Sequence, residues 1–434
     1  MMTEEGASFD PVSYINTPRW QTMNLGLDRI RELLAGLGDP QDSLRFVHVA
    51  GTNGKGSTCA FLAQILREAG YRVGLFTSPY IVRFEERIRI DGADISAQDL
   101  MKATREVKVV ADAMSDHPTE FELMTAVAFT HFAKHSCDIV VAEVGLGGRL
   151  DSTNVISSVE VSVIAPLSLD HCSLLGDTLP EIATEKAGII KRGVPVVSAL
   201  QEDSARDVLS RRAEACHAPL TFVDPKALQG DNTCFSYRSH KNLSIAFAAF
   251  YQRSNAALAV EVIDCLRSCG WAIPEEALRA GLAHTSWPGR FEIVHRRPVV
   301  ILDGAHNGDG ARVLADSLEC CYPGKKALFV FGVLADKDYS DMVASLCDLA
   351  EAVICFAPPN PRALAASDLA DTWRRVLRDA SETGVPVYEE GGIPQALERA
   401  FALADEDDIV CVAGSLYSLG EVKGELDRLF RADA

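Results

Sequence analysis

FVHVAGTNGKGSTCAFLAQILREAG, residues 46–70, decides the fold class. Its first five residues form a short apolar run that predicts a buried strand over 46–50. Phe61, Leu62, Ile65, Leu66 and Ala69 repeat at helical spacing and predict a helix over 59–69. Between them stands Gly51-Thr52-Asn53-Gly54-Lys55-Gly56-Ser57-Thr58, a glycine-rich turn opening a helix. Glycines let the backbone bring its N–H groups onto phosphate oxygens, the helix N-terminus adds its positive end, and Lys55 supplies a mobile ammonium. The stretch reads as a phosphate loop, although it departs from the general GxxxxGK[ST] form: the first spacer is shorter, and Gly56 separates Lys55 from Ser57. The competing reading, a plain turn with a solvated lysine, is disfavoured by the strand and helix on either side.

Working outward, strand-type runs at 73–77, 139–144, 159–165 and 195–199 alternate with helical patterns, which argues for βαβ units and a parallel sheet. The segments LTFVD, CFSYR and LSIAF between 220 and 247 break that rhythm and suggest a small antiparallel edge. Helical patterns return at 256–269 and 275–284, and the polar stretch TSWPGRFEIVHRRP, 285–298, is the expected domain junction. A second series of strands follows at 299–302, 328–333, 352–356, 385–388 and 409–413. The expected fold class is α/β: a P-loop ATPase-type, mostly parallel sheet domain over residues 1–295, then a smaller Rossmann-like α/β domain over 296–434.

At 434 residues the chain is long enough for two cores, and 47% hydrophobic with 24% charged residues is ordinary for a globular protein. Against 42 Lys+Arg stand 61 Asp+Glu, a net charge of -19 that argues against a nucleic-acid groove. The acidity is uneven, since 24 of the acids and only 12 of the bases lie from Pro298 onward. Twelve dispersed cysteines without a CxxC pair read as small buried hydrophobes in a reducing compartment. The acidic residues 1–10 resemble no secretory or transit leader, and no stretch approaches ~18 apolar residues, so a cytoplasmic protein without a membrane span is expected.

Three further segments carry chemistry. Glu143 sits inside the apolar strand run that precedes Gly145-Leu146-Gly147-Gly148; at a strand end beside a phosphate loop it is placed to hold Mg²⁺. Arg149 and Asp151 just beyond read equally well as a structural ion pair. Asp170-His171 follows the strand at 159–165, where a histidine is either structural or a second metal ligand. Lys186 lies in a helical pattern among small and apolar residues, where a lone ammonium is costly to bury, so it should be solvated, paired or modified. The second domain opens with a strand running into Asp303-Gly304-Ala305-His306-Asn307, either an ordinary polar turn or the far wall of a cleft, with Asp303 on a ribose or a metal-bound water and His306 on a base.

Nine segments together, GTNGKGS at 51–57, TSP at 77–79, TEFE at 119–122, EVGLGGRLDSTN at 143–154, LDH at 169–171, EKAGIIK at 185–191, PGRFE at 288–292, DGAHN at 303–307 and GSLY at 414–417, resemble the folylpolyglutamate synthase/dihydrofolate synthase group of the ATP-dependent Mur ligases. The resemblance spans nearly the whole chain, and the Gly56 spelling is that family's own. It implies that Gly54, Lys55, Gly56 and Ser57 bind ATP phosphates, that Asn255, Arg290 and Asp303 contact nucleotide, and that Ser78, Glu143 and His171 bind magnesium. It further implies that Lys186 is carbamylated and serves a second magnesium ion, and that Thr119, Glu120, Phe121, Glu122, Leu150, Asp151 and Ser152 hold the pterin substrate. Tyr80 and Tyr251 stand where many members have histidine.

The expected activity is ATP-dependent addition of L-glutamate to a folate, and to dihydropteroate, through an acyl phosphate. Lys55 and Lys186 are expected at the chemistry, with His306 or a nearby carboxylate assisting the amine. The partners are then small molecules, with no nucleic acid or membrane, and the protein is expected to be a monomer. Dihydrofolate synthase activity alone is the narrower alternative. A nucleotide-driven switch would hydrolyse ATP without an amino acid and has no need of the DGAHN wall. A muramyl-type ligase is opposed by the Gly56-Ser57 spelling and the lack of an obvious UDP-binding segment.

Overall fold

Five consecutive buried residues make β1, Phe46–Ala50, the centre of an eight-stranded sheet. The computed structural model describes residues 9–17, 26–382 and 384–432, so residues 1–8 of the stretch read for a leader lie outside it. The other strands of this sheet are β2 (Val73–Phe76), β3 (Ile88–Ile90), β4 (Ala93–Asp94), β5 (Ile139–Glu143), β6 (Val159–Ile164), β7 (Val196–Ser198) and β8 (Leu220–Phe222). Their order is β4-β3-β2-β5-β1-β6-β7-β8, parallel except for the antiparallel pairs β2–β3 and β3–β4. Continuous apolar strands require cover on both faces. One face buries Phe61, Leu62, Ile65 and Leu66 of the Lys55–Glu68 helix against the Phe250–Ser268 and Glu275–His284 helices. The other packs under the Asp28–Gly36, Ala97–Ala111 and Glu120–Lys134 helices.

The chain leaves β1 for β2 on one side, beyond β5, and reaches β6 on the other. Connections therefore diverge at the carboxyl end of β1, the position where open α/β sheets form their ligand crevice.

Leu220–Phe222 pairs in parallel with β7 as the last strand of the large sheet, so the first of the three segments expected at an antiparallel edge belongs elsewhere. The small antiparallel sheet is built from β9 (Leu228–Gly230), β10 (Cys234–Tyr237) and β11 (His240–Ser244). β8 is itself the outermost strand, and its exposed Thr221 fits a parallel edge as well as an antiparallel one.

The second sheet runs β12-β13-β17-β14-β15-β16, with β12 (Glu292–Arg296), β13 (Val299–Leu302), β14 (Ala327–Phe331), β15 (Ala350–Cys355), β16 (Val387–Glu389) and β17 (Ile409–Ala413). All neighbours are parallel except β12, which lies antiparallel on β13. Because β12 already belongs to this sheet, the two sheets divide before residue 292, a few residues ahead of the expected 295. All twelve cysteines are free, and six are buried; Cys234, Cys269 and Cys320 are exposed, so the reading as buried hydrophobes holds for only part of the set. No helix among the described residues is long and apolar enough to cross a membrane.

Candidate active site

The glycine turn after β1 closes where only glycine fits. Gly54 has φ 77°, and a Cβ there would come within 2.5 Å of Asn255 Oδ1. At Gly56 a Cβ would come within 2.9 Å of Trp287 Nε1, which explains the extra glycine between Lys55 and Ser57. Ser57 is buried, and its Oγ accepts from Gln252 Nε2 at 3.1 Å; Asn255 in turn donates to Gln252 Oε1 at 3.1 Å. The Phe250–Ser268 helix thus braces the loop from behind.

Lys55 Nζ donates to Thr52 O at 3.1 Å and lies 3.9 Å from Glu143 Oε1. Glu143 ends β5 and is 4% exposed. Burial pushes its carboxyl up, opposed by Lys55 and by the Ser78 amide, which donates to Oε2 at 3.2 Å. Oε1 therefore has no ordinary hydrogen-bond partner at hand, the condition of a carboxylate suited to a cation. Ser78, Glu143, Gly56, Trp287, Arg290 and Leu416 line a narrow cleft between the domains.

Lys186 is 5% exposed in the Leu179–Ala187 helix, and its Nζ donates to Gly51 O at 2.8 Å. Burial and then the nearby Lys55 push its pKa down to about 7. Of the three fates expected for this lysine, solvation is ruled out. His171 follows β6 with φ 52°, and burial lowers its pKa to about 4, so its imidazole is neutral and retains a lone pair at neutral pH. Among the described residues no three His, Cys, Asp or Glu side chains converge as a metal centre, and Glu143 and His171 stand on separate elements.

Asp303 directly follows β13 and is fully engaged: Tyr251 Oη and the Phe291 amide donate to Oδ2, and the Ala305 amide to Oδ1, each at 2.8 Å. Burial raises its pKa, with Arg290 the main opposing influence. Tyr251 thus ties the helix behind the phosphate loop to the second domain. His306 donates from Nδ1 to Gly304 O at 2.8 Å, and its Nε2 lies 3.6 Å from Asp170 Oδ2. Burial works against an ionised Asp170, but His306 and Lys337 outweigh it and hold the carboxyl well below the usual range.

The segments expected to hold the pterin lie at the start of the Glu120–Lys134 helix and in the turn after β5. Thr119 caps the Glu120–Lys134 helix; Glu122 Oε2 accepts from Thr119 N at 2.8 Å and from Arg29 Nε at 3.0 Å. Glu120 has its carboxyl raised by burial beside Arg87, and the Phe121 ring covers Gly145 so closely that a Cβ there would come within 2.4 Å. Asp151 accepts from Leu146 N and Thr153 N, both at 3.0 Å, and from the Thr153 hydroxyl. Its carboxylate closes the glycine turn between Leu150 and the buried Ser152. The expected alternative of an Arg149–Asp151 ion pair is not formed: Arg149 Nη2 pairs with Glu185 Oε1 at 2.9 Å.

Asn53, Gln252, Trp287 and Lys337 join the site without an individual role expected from the sequence. Lys337 alone had a usable signal, a charged LADKD run just after a strand in the second series.

Residues 49–262 match the Mur ligase middle domain, and residues 289–416 the Mur ligase glutamate ligase domain. The chain is 38% identical over 418 residues to the dihydrofolate synthase/folylpolyglutamate synthase of Bacillus subtilis, covering 92% of this chain and 95% of that protein. It is 36% identical to the folylpolyglutamate synthase of Lacticaseibacillus casei, over 92% and 94% of the two chains. Among solved structures, Escherichia coli FolC in complex with DHPP and ADP superposes with a TM-score of 0.86 at 31% identity, covering 96% of this chain and 97% of that one. A bifunctional folylpolyglutamate synthase/dihydrofolate synthase with Mn, AMPPNP and L-glutamate bound gives 0.83 at 32% identity, over 96% and 98%. The chain belongs to the folylpolyglutamate synthase/dihydrofolate synthase family of ATP-dependent Mur ligases.

Proposed function

We propose that this enzyme uses ATP to add L-glutamate both to a reduced folate and to dihydropteroate, working as a cytoplasmic monomer on small molecules. The observation that carries the reading is one interdomain cleft lined by Gly56 of the phosphate loop, Ser78 and Glu143 from the first domain and by Arg290 and Leu416 from the junction and the second, with Lys55 3.9 Å from Glu143. The first domain, which ends ahead of β12, then binds ATP and the pterin, and the second, from β12 onward, supplies the wall that completes the glutamate transfer.

A carboxylate does not condense with an amine in water unless its oxygen first becomes a leaving group. The substrate carboxylate attacks the γ-phosphorus, the bond to ADP breaks, and an acyl phosphate forms. The amides of Gly54, Gly56 and Ser57 and the Lys55 ammonium offset charge on the transferring group, while Asn255, Arg290 and Asp303 hold the nucleotide side. The glutamate amine then attacks the acyl carbon, and phosphate leaves from the tetrahedral intermediate. We assign the proton released by the amine to His306: its Nδ1–H is committed to Gly304 O, which turns Nε2 towards Asp170, a carboxylate able to stabilise the imidazolium.

The donor set fits divalent metal: Glu143 is a buried carboxylate whose Oε1 has Lys55 only at 3.9 Å, and His171 is neutral. Ser78, Glu143 and His171 would hold magnesium, and a carbamate on Lys186 would add an anionic ligand for a second ion. Bound magnesium neutralises phosphate charge during transfer. Closure of the cleft keeps water from the acyl phosphate. Thr119, Glu120, Phe121, Glu122, Leu150, Asp151 and Ser152 shape the pterin wall, Thr119, Glu122 and Asp151 by fixing backbone.

The test is ADP release measured with each substrate omitted in turn. Release should require both a pterin and L-glutamate, with dihydropteroate and tetrahydrofolate each supporting glutamate incorporation. Release indifferent to L-glutamate would sink the reading and favour a nucleotide-driven switch.

A further inference from the structure

Lys337, a residue given no role above, meets the buried Asp170 across the cleft. Lys337 follows β14 in the second domain, and its Nζ lies 2.6 Å from Oδ1 of Asp170, which follows β6 in the first. The two side chains are 9% and 8% exposed. Asn307 Nδ2 donates to the other oxygen of Asp170 at 3.1 Å, and the same amide group donates to Asn53 Oδ1 of the phosphate loop at 3.2 Å. Asn53 Nδ2 donates in turn to Asp309 Oδ2 at 3.0 Å. The seam thus joins the phosphate loop, the loop after β6 and the DGAHN turn in one hydrogen-bonded row.

These contacts form only when the domains are together. Opening returns both charges to water, so the pair adds little net energy, but removing the lysine alone leaves Asp170 buried with less compensation in the closed state. The missing charge penalises closure selectively.

We infer that Lys337 is a positioning residue, clasping the second domain onto Asp170 and thereby setting the distance between the phosphate loop and His306. The kinetic part of this inference rests on the ligase reading; the structural part does not.

The test compares the full-length chain with Lys337→Met and Lys337→Arg, with Lys337→Gln in reserve should the methionine variant fail to fold. Thermal melting checks the fold, amide hydrogen exchange over residues 168–172 and 306–310 reports closure, and ADP release is followed with and without L-glutamate. The clasp predicts folded variants, seam exchange about 10-fold faster in Lys337→Met, and glutamate-dependent turnover lowered about 10- to 100-fold, with partial recovery in Lys337→Arg. A raised KM for L-glutamate with unchanged seam exchange would overturn it, placing Lys337 on the amino acid instead. If seam exchange rises as expected while the wild-type chain shows no pterin-dependent ADP release, the clasp stands and the ligase reading falls.

Discussion

A primary amine with a pKa of about 7 is substantially neutral at physiological pH, and only the neutral form attacks carbon dioxide. Lys186 meets that condition because burial disfavours its ammonium and Lys55 repels it. Enzyme stripped of carbon dioxide at pH 6 should lose activity and regain it on adding bicarbonate, faster at pH 8 than at pH 6; indifference to bicarbonate would count against a carbamate. Lys186→Ala should lower turnover by about 100-fold or more while the protein stays folded, as judged by circular dichroism. The sign of the stability effect follows from the same shift. Below pH 7 the folded state bears the full penalty of a buried cation, and between about 7 and 10.4 the unfolded chain alone holds the proton, so this group's contribution improves as pH rises. Lys186 was legible as an anomaly because an apolar helical pattern and an ammonium conflict locally. The partners of Arg149 and Asp170 were not, since 36 and 167 residues separate them from Glu185 and Lys337 and no local spacing records such meetings.

Phosphate loops depend on backbone shape, and here the element is held by contacts a methyl group would break. Gly54→Ala must place a Cβ in left-handed backbone and against the Asn255 amide, so the KM for ATP should rise by about 5- to 30-fold, checked by steady-state kinetics at saturating pterin and glutamate. The small sheet β9 to β11 is anchored differently. His240 is buried, with Nδ1 3.0 Å from Glu275 and Nε2 3.0 Å from Asp264, so both ring nitrogens donate only when the ring is charged. Arg267 pairs with both carboxylates and Arg279 with Glu275. The bond to Asp264 outweighs burial and raises the histidine's pKa, with Glu275 adding to it. The resulting stability is present below about pH 6.5 and lost as pH rises through the raised folded value. His240→Gln should therefore cost about 1–2 kcal/mol in urea unfolding at pH 6 and less at pH 9. Strand-loop-helix order around residue 51 was readable because hydrophobic period and turn chemistry agreed there. The 220–247 region was harder, because three-residue strands with one exposed position fit a sheet edge and a parallel rim equally well.

At the scale of the whole molecule, the two-domain plan followed from length and from two separate strand series, while the seam between them depended on side chains that the series do not reveal. Negative charge concentrated in the second domain need not oppose ATP, since in the proposed reading glycine amides and Lys55 meet the phosphates locally. The tether between the domains has a quantitative consequence. Between the helix ending at His284 and β12 beginning at Glu292 lie only residues 285–291, and both Trp287 and the Phe291 amide are already fastened. Even fully extended, seven residues reach about 25 Å at most. The second domain consequently behaves as a ligand the first can never lose, presented at an effective concentration in the millimolar range. Doubling the tether with seven Gly/Ser residues after the exposed Ser286 should cost only about 0.6 kcal/mol of loop entropy, roughly a threefold rise in the KM for ATP. A much larger loss would mean that the short strap orients Arg290 as well as confining it.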